Sequence, residues 1–218
     1  MTESIKIVLL GETAVGKTSI IQRFITDSFN SNCISSLSAQ FNSKTMEING
    51  ETLKIDIWDT AGQEKYRSLA RIFYKDAKVI VFVYDITSQP TFEGMKNYWY
   101  EQTKINCEKE VIFAVVANKN DLYAEQQVPD EEGEKFADDI GAIFQSTSAQ
   151  SDTGIGQLFD NIGRKLIDPD YDYKDSDKKA MANFNSKLKK EKEKENNSDG
   201  KVKLDASNSN NKKGGCCS

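Results

Sequence analysis

Near its N-terminus the chain reads Gly11-Glu12-Thr13-Ala14-Val15-Gly16-Lys17-Thr18, which fits the pattern G-x-x-x-x-G-K-[ST] over its whole length. The motif follows a short apolar run and opens a helical pattern, which is the order that a phosphate-binding loop requires. Gly11 and Gly16 let the backbone curl so that successive N–H groups point at phosphate oxygens, and the helix adds the positive end of its dipole. Lys17 supplies a charge to the outer phosphates, and the Thr18 hydroxyl can bind magnesium. A simple glycine turn is the alternative interpretation.

Outward from this motif, strand and helix patterns alternate over residues 1–167. The apolar runs predict strands at Ile5–Leu10, Phe41–Ile48, Leu53–Trp58, Val79–Tyr84, Val111–Ala117 and Ala142–Phe144. The helical patterns cover Lys17–Thr26, a segment near Tyr66–Tyr74, Thr91–Asn106, Pro129–Ile140 and Ile155–Ile167. Asn49-Gly50 predicts an antiparallel hairpin between the second and third strands. The alternation elsewhere predicts a mainly parallel sheet with helices on both faces, and such sheets bind ligands beyond the carboxyl ends of their strands.

The composition changes after Ile167, because residues 168–218 hold few large apolar side chains and many Lys, Asn, Ser and Asp. Such a segment cannot bury enough apolar surface to offset the entropy of ordering it. We therefore expect a compact domain over residues 1–167 and a flexible tail over residues 168–218. The tail ends in the adjacent Cys216 and Cys217, which indicate lipid attachment, with a pair of incidental exposed thiols as the alternative.

The overall composition excludes several classes of protein. The chain has no histidine, which excludes Ser-His-Asp catalysis, Cys-His proteolysis and histidine-ligated metals. Its formal net charge of -5 argues against a nucleic-acid partner. No apolar run reaches the roughly 20 residues of a membrane span, and the N-terminus lacks the pattern of a secretory signal. We therefore expect a protein on the cytoplasmic side of the membrane.

A second motif, Asp59-Thr60-Ala61-Gly62-Gln63, begins where the third predicted strand ends. An acid at this position can hold magnesium or one of its waters, and Gly62 allows the backbone to approach a terminal phosphate. Gln63 can orient a water molecule for in-line attack, which makes it the candidate catalytic residue. Asp59 alone would be interpreted as a strand-end cap or a turn former, but the five residues together behind a phosphate-binding loop favour the functional interpretation.

A third motif, Asn118-Lys119-Asn120-Asp121, follows the fifth predicted strand, and Ser148-Ala149 follows the sixth. The Asp121 carboxylate can accept two N–H bonds from guanine, at N1 and at the exocyclic amine, which adenine cannot donate. Asn118 would bond the opposite edge of the ring, the Lys119 stem would lie along it, and Ala149 would offer its N–H to the exocyclic oxygen. A carboxylate left unpaired by the wrong base gives a discrimination of about 10⁴-fold. The same residue types crowd ordinary turns, so the motif alone leaves that alternative open.

These three motifs in this order resemble the small Ras-like GTPases over essentially all of residues 4–167. Further segments resemble the Rab family, namely Lys54-Ile55-Asp56-Ile57-Trp58-Asp59, Gln63-Glu64-Lys65-Tyr66-Arg67-Ser68-Leu69, Phe73-Tyr74-Lys75-Asp76-Ala77, Val83-Tyr84-Asp85-Ile86-Thr87 and Gly214-Gly215-Cys216-Cys217-Ser218. The resemblance implies the three-layer α/β sandwich of P-loop NTPases, with a six-stranded, mainly parallel sheet flanked by five helices.

The resemblance also implies a site of three parts. The residues expected at the phosphates of GTP or GDP are Gly11, Thr13, Ala14, Val15, Gly16, Lys17, Thr18, Ser19 and Gly62. Those expected at guanine are Phe29, Asn118, Lys119, Asp121, Ser148 and Ala149. Magnesium would be held by Thr18, Ser36 and Asp59. Phe41, Trp58 and Phe73 would form an aromatic surface for effectors, with plain core packing as the alternative.

Several positions depart from the family pattern. Ser36 stands where the family carries a threonine, and it keeps the hydroxyl but loses the methyl group. Ser38 replaces a glycine, and together with Ala39 it resembles the endocytic branch of the family. Gln150 replaces a lysine that usually packs over the base. Thr13 puts bulk near the terminal phosphate and could slow hydrolysis.

The leading hypothesis is a switch that hydrolyses GTP slowly and changes conformation around Ser36–Phe41 and Gly62–Phe73. The resemblance implies a monomer with a GTPase-activating protein, a guanine nucleotide exchange factor, effectors, and prenyl-transfer escort and GDI-type extraction proteins as partners. It implies geranylgeranyl groups on Cys216 and Cys217. It also implies the cytoplasmic face of intracellular membranes as the location, endosomes among them, in exchange with the cytosol.

Two other functions stay open at this point. A metabolic P-loop kinase or ATPase would need a second substrate site or a lid, and it would need no reader of guanine. A nucleotide-locked scaffold would bind GTP without hydrolysing it, and Gln63 argues against that function.

Overall fold

The computed structural model describes residues 4–29, 40–60, 74–107 and 110–175. The chain divides into two compact units, Met1–Tyr171 and Asp172–Ser218. Only residues 172–175 of the second unit are described, so the predicted tail and its boundary after residue 167 stay predictions.

The first unit is an α/β fold, as predicted. Its strands are β1 (Ile5–Leu10), β2 (Gln40–Ile48), β3 (Glu51–Asp59), β4 (Val79–Asp85), β5 (Ile112–Asn118) and β6 (Ile143–Thr147). The helices within its described residues are α1 (Lys17–Thr26), α2 (Gln89–Gly94), α3 (Glu101–Asn106), α4 (Asp130–Asp139) and α5 (Ile155–Ile167), with a π-helical stretch at Met95–Tyr100 and a 3₁₀-helix at Asn120–Glu125. The strands form one six-stranded sheet in the order β2-β3-β1-β4-β5-β6.

The hairpin between β2 and β3 is confirmed as the antiparallel pair of the sheet, whereas the other neighbouring strands run parallel. Ile48 pairs with Glu51, which leaves Asn49 and Gly50 as a two-residue turn. Both turn residues have positive φ angles, 53° and 84°, as the tight hairpin turn requires.

The bounds predicted for β2, β3, β4 and β5 differ from the observed ones by one or two residues, and three other predicted elements differ for a physical reason. The helix predicted over Thr91–Asn106 begins at Gln89, because Pro90 suits a first helical turn, and it widens into the π-helical stretch at Met95–Tyr100. Pro129 lies just before α4 rather than inside it, since its ψ of 146° is extended. β6 continues through polar residues to Thr147, because its backbone pairs with β5 as far as Asn118. The helix predicted near Tyr66–Tyr74 lies outside the described residues except at Tyr74.

The core surrounds β4, in which all residues from Val79 to Asp85 are buried. Helices cover both faces of a parallel sheet, so the sequence of a central strand is a continuous apolar run. The carboxyl ends of β1, β3, β4, β5 and β6 lie at one edge of this sheet, where the loops that carry the three motifs begin. None of the helices in the described ranges is long and apolar enough to cross a membrane.

Candidate functional site

The phosphate-binding loop runs from the end of β1 to the start of α1 and depends on two glycines. Gly11 has a φ of 151°, and a Cβ atom there would lie 2.2 Å from the Val83 carbonyl oxygen. Gly16 has a φ of 100°, and a Cβ atom there would lie 2.3 Å from the Asn118 amide nitrogen. Both approaches are too close for any side chain. The backbone therefore follows the tight path that a phosphate cradle needs.

The other residues of this loop differ in their exposure to solvent. Thr13 and Ala14 are exposed, Val15 is buried, and Ser19 is half-buried. Thr13 and Ala14 are thus accessible to a ligand, whereas Val15 anchors the loop to the core.

Lys17, the first residue of α1, is almost fully buried beneath the loop. Its Nζ atom donates to the carbonyl oxygens of Gly11 and Glu12 at 3.0 and 2.9 Å. Burial lowers the pKa of Lys17 to about 8, although the carboxylates of Asp59 and Glu12 act in the opposite direction. A bound anion beside this ammonium group would stabilise its charge.

The two described residues expected at magnesium are in direct contact. The Thr18 hydroxyl donates to Oδ2 of Asp59 at 2.5 Å, and Asp59 is buried at the end of β3. A hydroxyl and a carboxylate are hard oxygen donors, and magnesium prefers one or two such protein ligands together with phosphate oxygens and water. The donor set therefore fits this ion. The third expected ligand, Ser36, lies outside the described residues.

Asn118 joins the phosphate end of the site to the base end. Its Nδ2 atom donates to the carbonyl oxygen of Val15 in the phosphate-binding loop at 2.7 Å. Its Oδ1 atom accepts a hydrogen bond from the Thr147 hydroxyl at 3.0 Å, and Asn118 is almost fully buried. One amide thus ties the ends of β5 and β6 to the loop that follows β1.

Asp121 and Ser148 also come together at the base end, as expected. The Ser148 hydroxyl donates to Oδ1 of Asp121 at 2.5 Å and accepts the N–H of Ser151 at 3.0 Å. This pair orients the carboxylate that would read the edge of guanine. Ala149 is buried beside Ser148, and Phe29, which was also expected at guanine, is 37% exposed.

Lys119 is held in an unusual backbone conformation with a φ of 68°. Its Nζ atom forms an ion pair with Oδ2 of Asp85 at 2.6 Å, at the end of the neighbouring strand β4. The other carboxylate oxygen of Asp85 accepts both the N–H and the hydroxyl of Thr87 at 2.9 and 2.7 Å. Asp85 therefore orients the lysine stem that would lie along the base.

Sequence reasoning assigned no site role to Asp85, Thr147 or Arg23. Arg23 donates to the carbonyl oxygens of Ala149 and Gln150 from α1. These contacts join residues that are distant in sequence, so no local motif could have identified them. For Asp85 there was a weaker signal, since it lies at the end of a strand beside the one that carries the guanine motif.

Phe41 and Trp58 of the predicted effector surface are neighbours across the β2–β3 hairpin. Their ring centroids lie 5.4 Å apart in an edge-to-face arrangement. Phe41 is 54% exposed, so it is not a core residue, whereas Trp58 is half-buried. The remaining predicted residues, Ser36, Gly62, Gln63, Phe73, Cys216 and Cys217, lie outside the described residues.

Comparisons with known proteins agree with this arrangement. Residues 6–168 match the model of the Ras family. Ras-related protein RabJ of Dictyostelium discoideum is 41% identical over 162 residues, which are 74% of this chain and 63% of RabJ, so the match spans less than two thirds of that protein. Ras-related protein Rab-21 of Bos taurus is 39% identical over 167 residues, 77% of this chain and 75% of Rab-21.

Ras-related protein Rab-22A of Homo sapiens is 40% identical over 162 residues, which are 74% of this chain and 83% of Rab-22A. A family match over most of the chain and several Rab relatives near 40% identity confirm the family that the sequence motifs indicated. The chain therefore belongs to the Ras family and is a Rab-type small GTPase, an enzyme that hydrolyses GTP to GDP.

Proposed function

We propose that this GTPase is a membrane-trafficking switch that hydrolyses GTP slowly and recruits effectors while GTP is bound. The observation that carries the proposal is the position of Asn118, whose amide bonds both the phosphate-binding loop and the end of β6. The base and the phosphates of one nucleotide would therefore be bound by a single connected unit. When the third phosphate is lost, the adjoining loops can then change conformation relative to this rigid unit.

At the phosphate end, the loop N–H groups and Lys17 would hold the nucleotide and position its terminal phosphate. Thr18 and Asp59 would hold magnesium, which would supply positive charge to stabilise the charge that develops on the phosphates. Gln63 would orient the attacking water molecule. At the base end, the Asp121 carboxylate would accept the two guanine N–H groups while Ser148 keeps it oriented.

The contacts of the arginines in the described residues support slow turnover. Arg23 bonds backbone carbonyls of the loop after β6, and Arg164 pairs with Asp160 on α5. Neither guanidinium is directed to the phosphate-binding loop. An arginine supplied by a GTPase-activating protein would accelerate hydrolysis by about 10³–10⁵-fold.

The membrane part of the proposal rests on the C-terminus. Geranylgeranyl groups on both Cys216 and Cys217 would give stable anchoring, because a single lipid chain binds membranes only marginally. An exchange factor, an escort protein for prenyl transfer and a GDI-type extraction protein would move the GTPase between cytosol and membrane. Ser38 and Ala39 favour an endosomal membrane.

Hydrogen exchange tests the switch. Protein loaded with GDP is compared with protein loaded with a non-hydrolysable GTP analogue, both with magnesium. We expect slower exchange with the analogue in peptides covering residues 30–41 and 60–75, and equal exchange in peptides covering β4, which serves as the internal control. Equal exchange in all peptides would contradict a conformational switch.

Single-turnover phosphate release tests the hydrolysis. Intrinsic release from the GTP-loaded protein should proceed at about 10⁻⁴–10⁻³ s⁻¹, the scale of an unassisted enzyme of this class. Asp59→Asn should slow release further, because one magnesium ligand becomes neutral. Bound GTP that persists without any phosphate release would instead indicate a nucleotide-locked scaffold.

A further inference from the structure

Arg23 makes an unusual set of contacts for a helix residue outside the phosphate-binding loop. From α1, its Nε atom donates to the carbonyl oxygen of Ala149 at 2.9 Å, and one terminal nitrogen donates to the carbonyl oxygen of Gln150 at 3.2 Å. The other terminal nitrogen donates to the carbonyl oxygen of Asp27 at 2.8 Å. The side chain is only 15% exposed, and Asp152 lies 3.9 Å from Nε. All of these contacts except that to Asp27 lie in the loop that follows β6.

This loop presents Ser148 and Ala149 to the base end of the site. Ser148 is fixed by two backbone hydrogen bonds with Thr153, at 2.9 and 3.0 Å, and by its bond to Asp121. The carbonyl groups of the next two residues are the ones that Arg23 holds. The backbone around Ala149 is therefore bound on both sides, so its orientation depends on Arg23.

An arginine suits this task for a geometric reason. Its planar guanidinium offers several donors in fixed directions, so it can bond two successive carbonyl groups at once. A lysine at this position would offer a single compact charge and could not hold both carbonyl groups in the same geometry.

We propose that Arg23 is a positioning residue for base recognition, which sets the backbone of Ala149 so that its N–H meets the exocyclic oxygen of guanine. This inference rests on the proposed function, because it takes guanine to be the base bound beside Ala149. In this proposal Arg23 does not contact the nucleotide, because its described hydrogen bonds go to backbone carbonyl oxygens. It acts through the loop, from the helix that begins at the phosphate-binding motif.

The test compares GDP with 6-thio-GDP, in which sulfur replaces the exocyclic oxygen and the two N–H groups read by Asp121 are unchanged. Dissociation constants for both nucleotides are measured for the wild-type protein and for Arg23→Met. The wild type should prefer GDP by about twofold to tenfold, the contribution of one neutral hydrogen bond. In Arg23→Met this preference should fall close to unity, because GDP binding weakens more than 6-thio-GDP binding.

Two further variants keep the test decisive. Arg164→Met removes another partly exposed arginine on α5, which bonds Asp160 away from this loop, and should leave the preference unchanged. Arg23→Lys keeps the charge but loses the paired donors, so its preference should lie between wild type and Arg23→Met. If Arg23→Met folds poorly, the lysine variant decides the question.

An equal loss of affinity for both nucleotides in the Arg23 variants, with the wild-type preference retained, would overturn the proposal and leave Arg23 as a structural tie only. A wild-type protein that binds no GDP would instead contradict the guanine site itself. The two failures are therefore distinguishable in one set of measurements.

Discussion

Raising the pH from 7 to 9 should weaken nucleotide binding about tenfold through the titration of Lys17. Burial lowers the pKa of this lysine to about 8 in the ligand-free protein. Bound phosphates place negative charge beside the ammonium group and raise its pKa again. About nine tenths of the ligand-free protein carries the proton at pH 7 and about one tenth at pH 9, so binding must take up a proton at the higher pH.

The direction of this pH effect on nucleotide affinity follows from the pKa of Lys17 with and without bound phosphates. Because the pKa is higher in the bound state than in the free state, affinity is nearly full at pH 7, is about twofold lower at pH 8 and declines further as the pH rises. Tenfold corresponds to about 1.4 kcal/mol. The stability of the ligand-free protein should change in the opposite direction, because the unfolded chain binds this proton more tightly than the folded one. The lowered pKa of Lys17 therefore reduces the free energy of unfolding below pH 8. This free energy increases again as the pH rises from 8 to 10.5, which is the ordinary pKa of a lysine.

The assay is isothermal titration calorimetry of GDP into the ligand-free protein at pH 7, 8 and 9, in two buffers that differ in ionisation enthalpy. The difference between the buffers reports the protons taken up, which should be about half a proton at pH 8. Lys17→Arg is the matched control, since a guanidinium keeps its proton over this range. Ionisation of the guanine base at alkaline pH affects both proteins equally.

Two results would refute this reasoning. Equal pH dependence of GDP affinity in wild type and Lys17→Arg would show that another group titrates. An affinity of the wild type that rises with pH would show that the lysine proton is released rather than taken up on binding.

The remaining predictions concern three other residues of the proposed site and the two C-terminal cysteines. Asp121→Asn should shift preference from guanine toward xanthine, because the amide can donate to the second exocyclic oxygen, and competition between GTP and xanthosine triphosphate measures this. Thr18→Asn should weaken GTP binding more than GDP binding, which a magnesium titration of both affinities would reveal. Gln63→Leu should leave nucleotide affinity intact but abolish stimulated hydrolysis, and unchanged phosphate release with an activating protein would exclude this role. Changing both Cys216 and Cys217 to Ser should make the protein fully cytosolic in cell fractionation with unchanged hydrolysis; a variant still found on membranes would disprove anchoring there.

Much of the fold followed from local pattern. Three elements have the predicted bounds, namely Ile5–Leu10, Lys17–Thr26 and Ile155–Ile167. Their ends are determined by apolar periodicity and by adjacent glycines, which are signals that span only a few residues. The sequence alone could also place the guanine motif beside Ser148, because the carboxyl ends of neighbouring parallel strands meet at one edge of the sheet.

Contacts between distant residues could not be predicted in this way. The π-helical stretch at Met95–Tyr100 carries Trp99, whose indole donates to Glu12 of the phosphate-binding loop at 3.1 Å. Neither this contact nor the bonds from Arg23 to the loop after β6 follows from residue type or spacing. They depend on how helices pack across the sheet, which a single sequence does not reveal.

Guanine selection is the property on which the proposed site depends, and a competition experiment measures it directly. A fluorescent GDP derivative is bound to the purified protein with magnesium, and its displacement by GDP and by ADP is followed at equilibrium. The Asp121 carboxylate, oriented by Ser148, should give GDP an advantage of about 10⁴-fold. Comparable affinities for GDP and ADP would contradict the assignment of the base site.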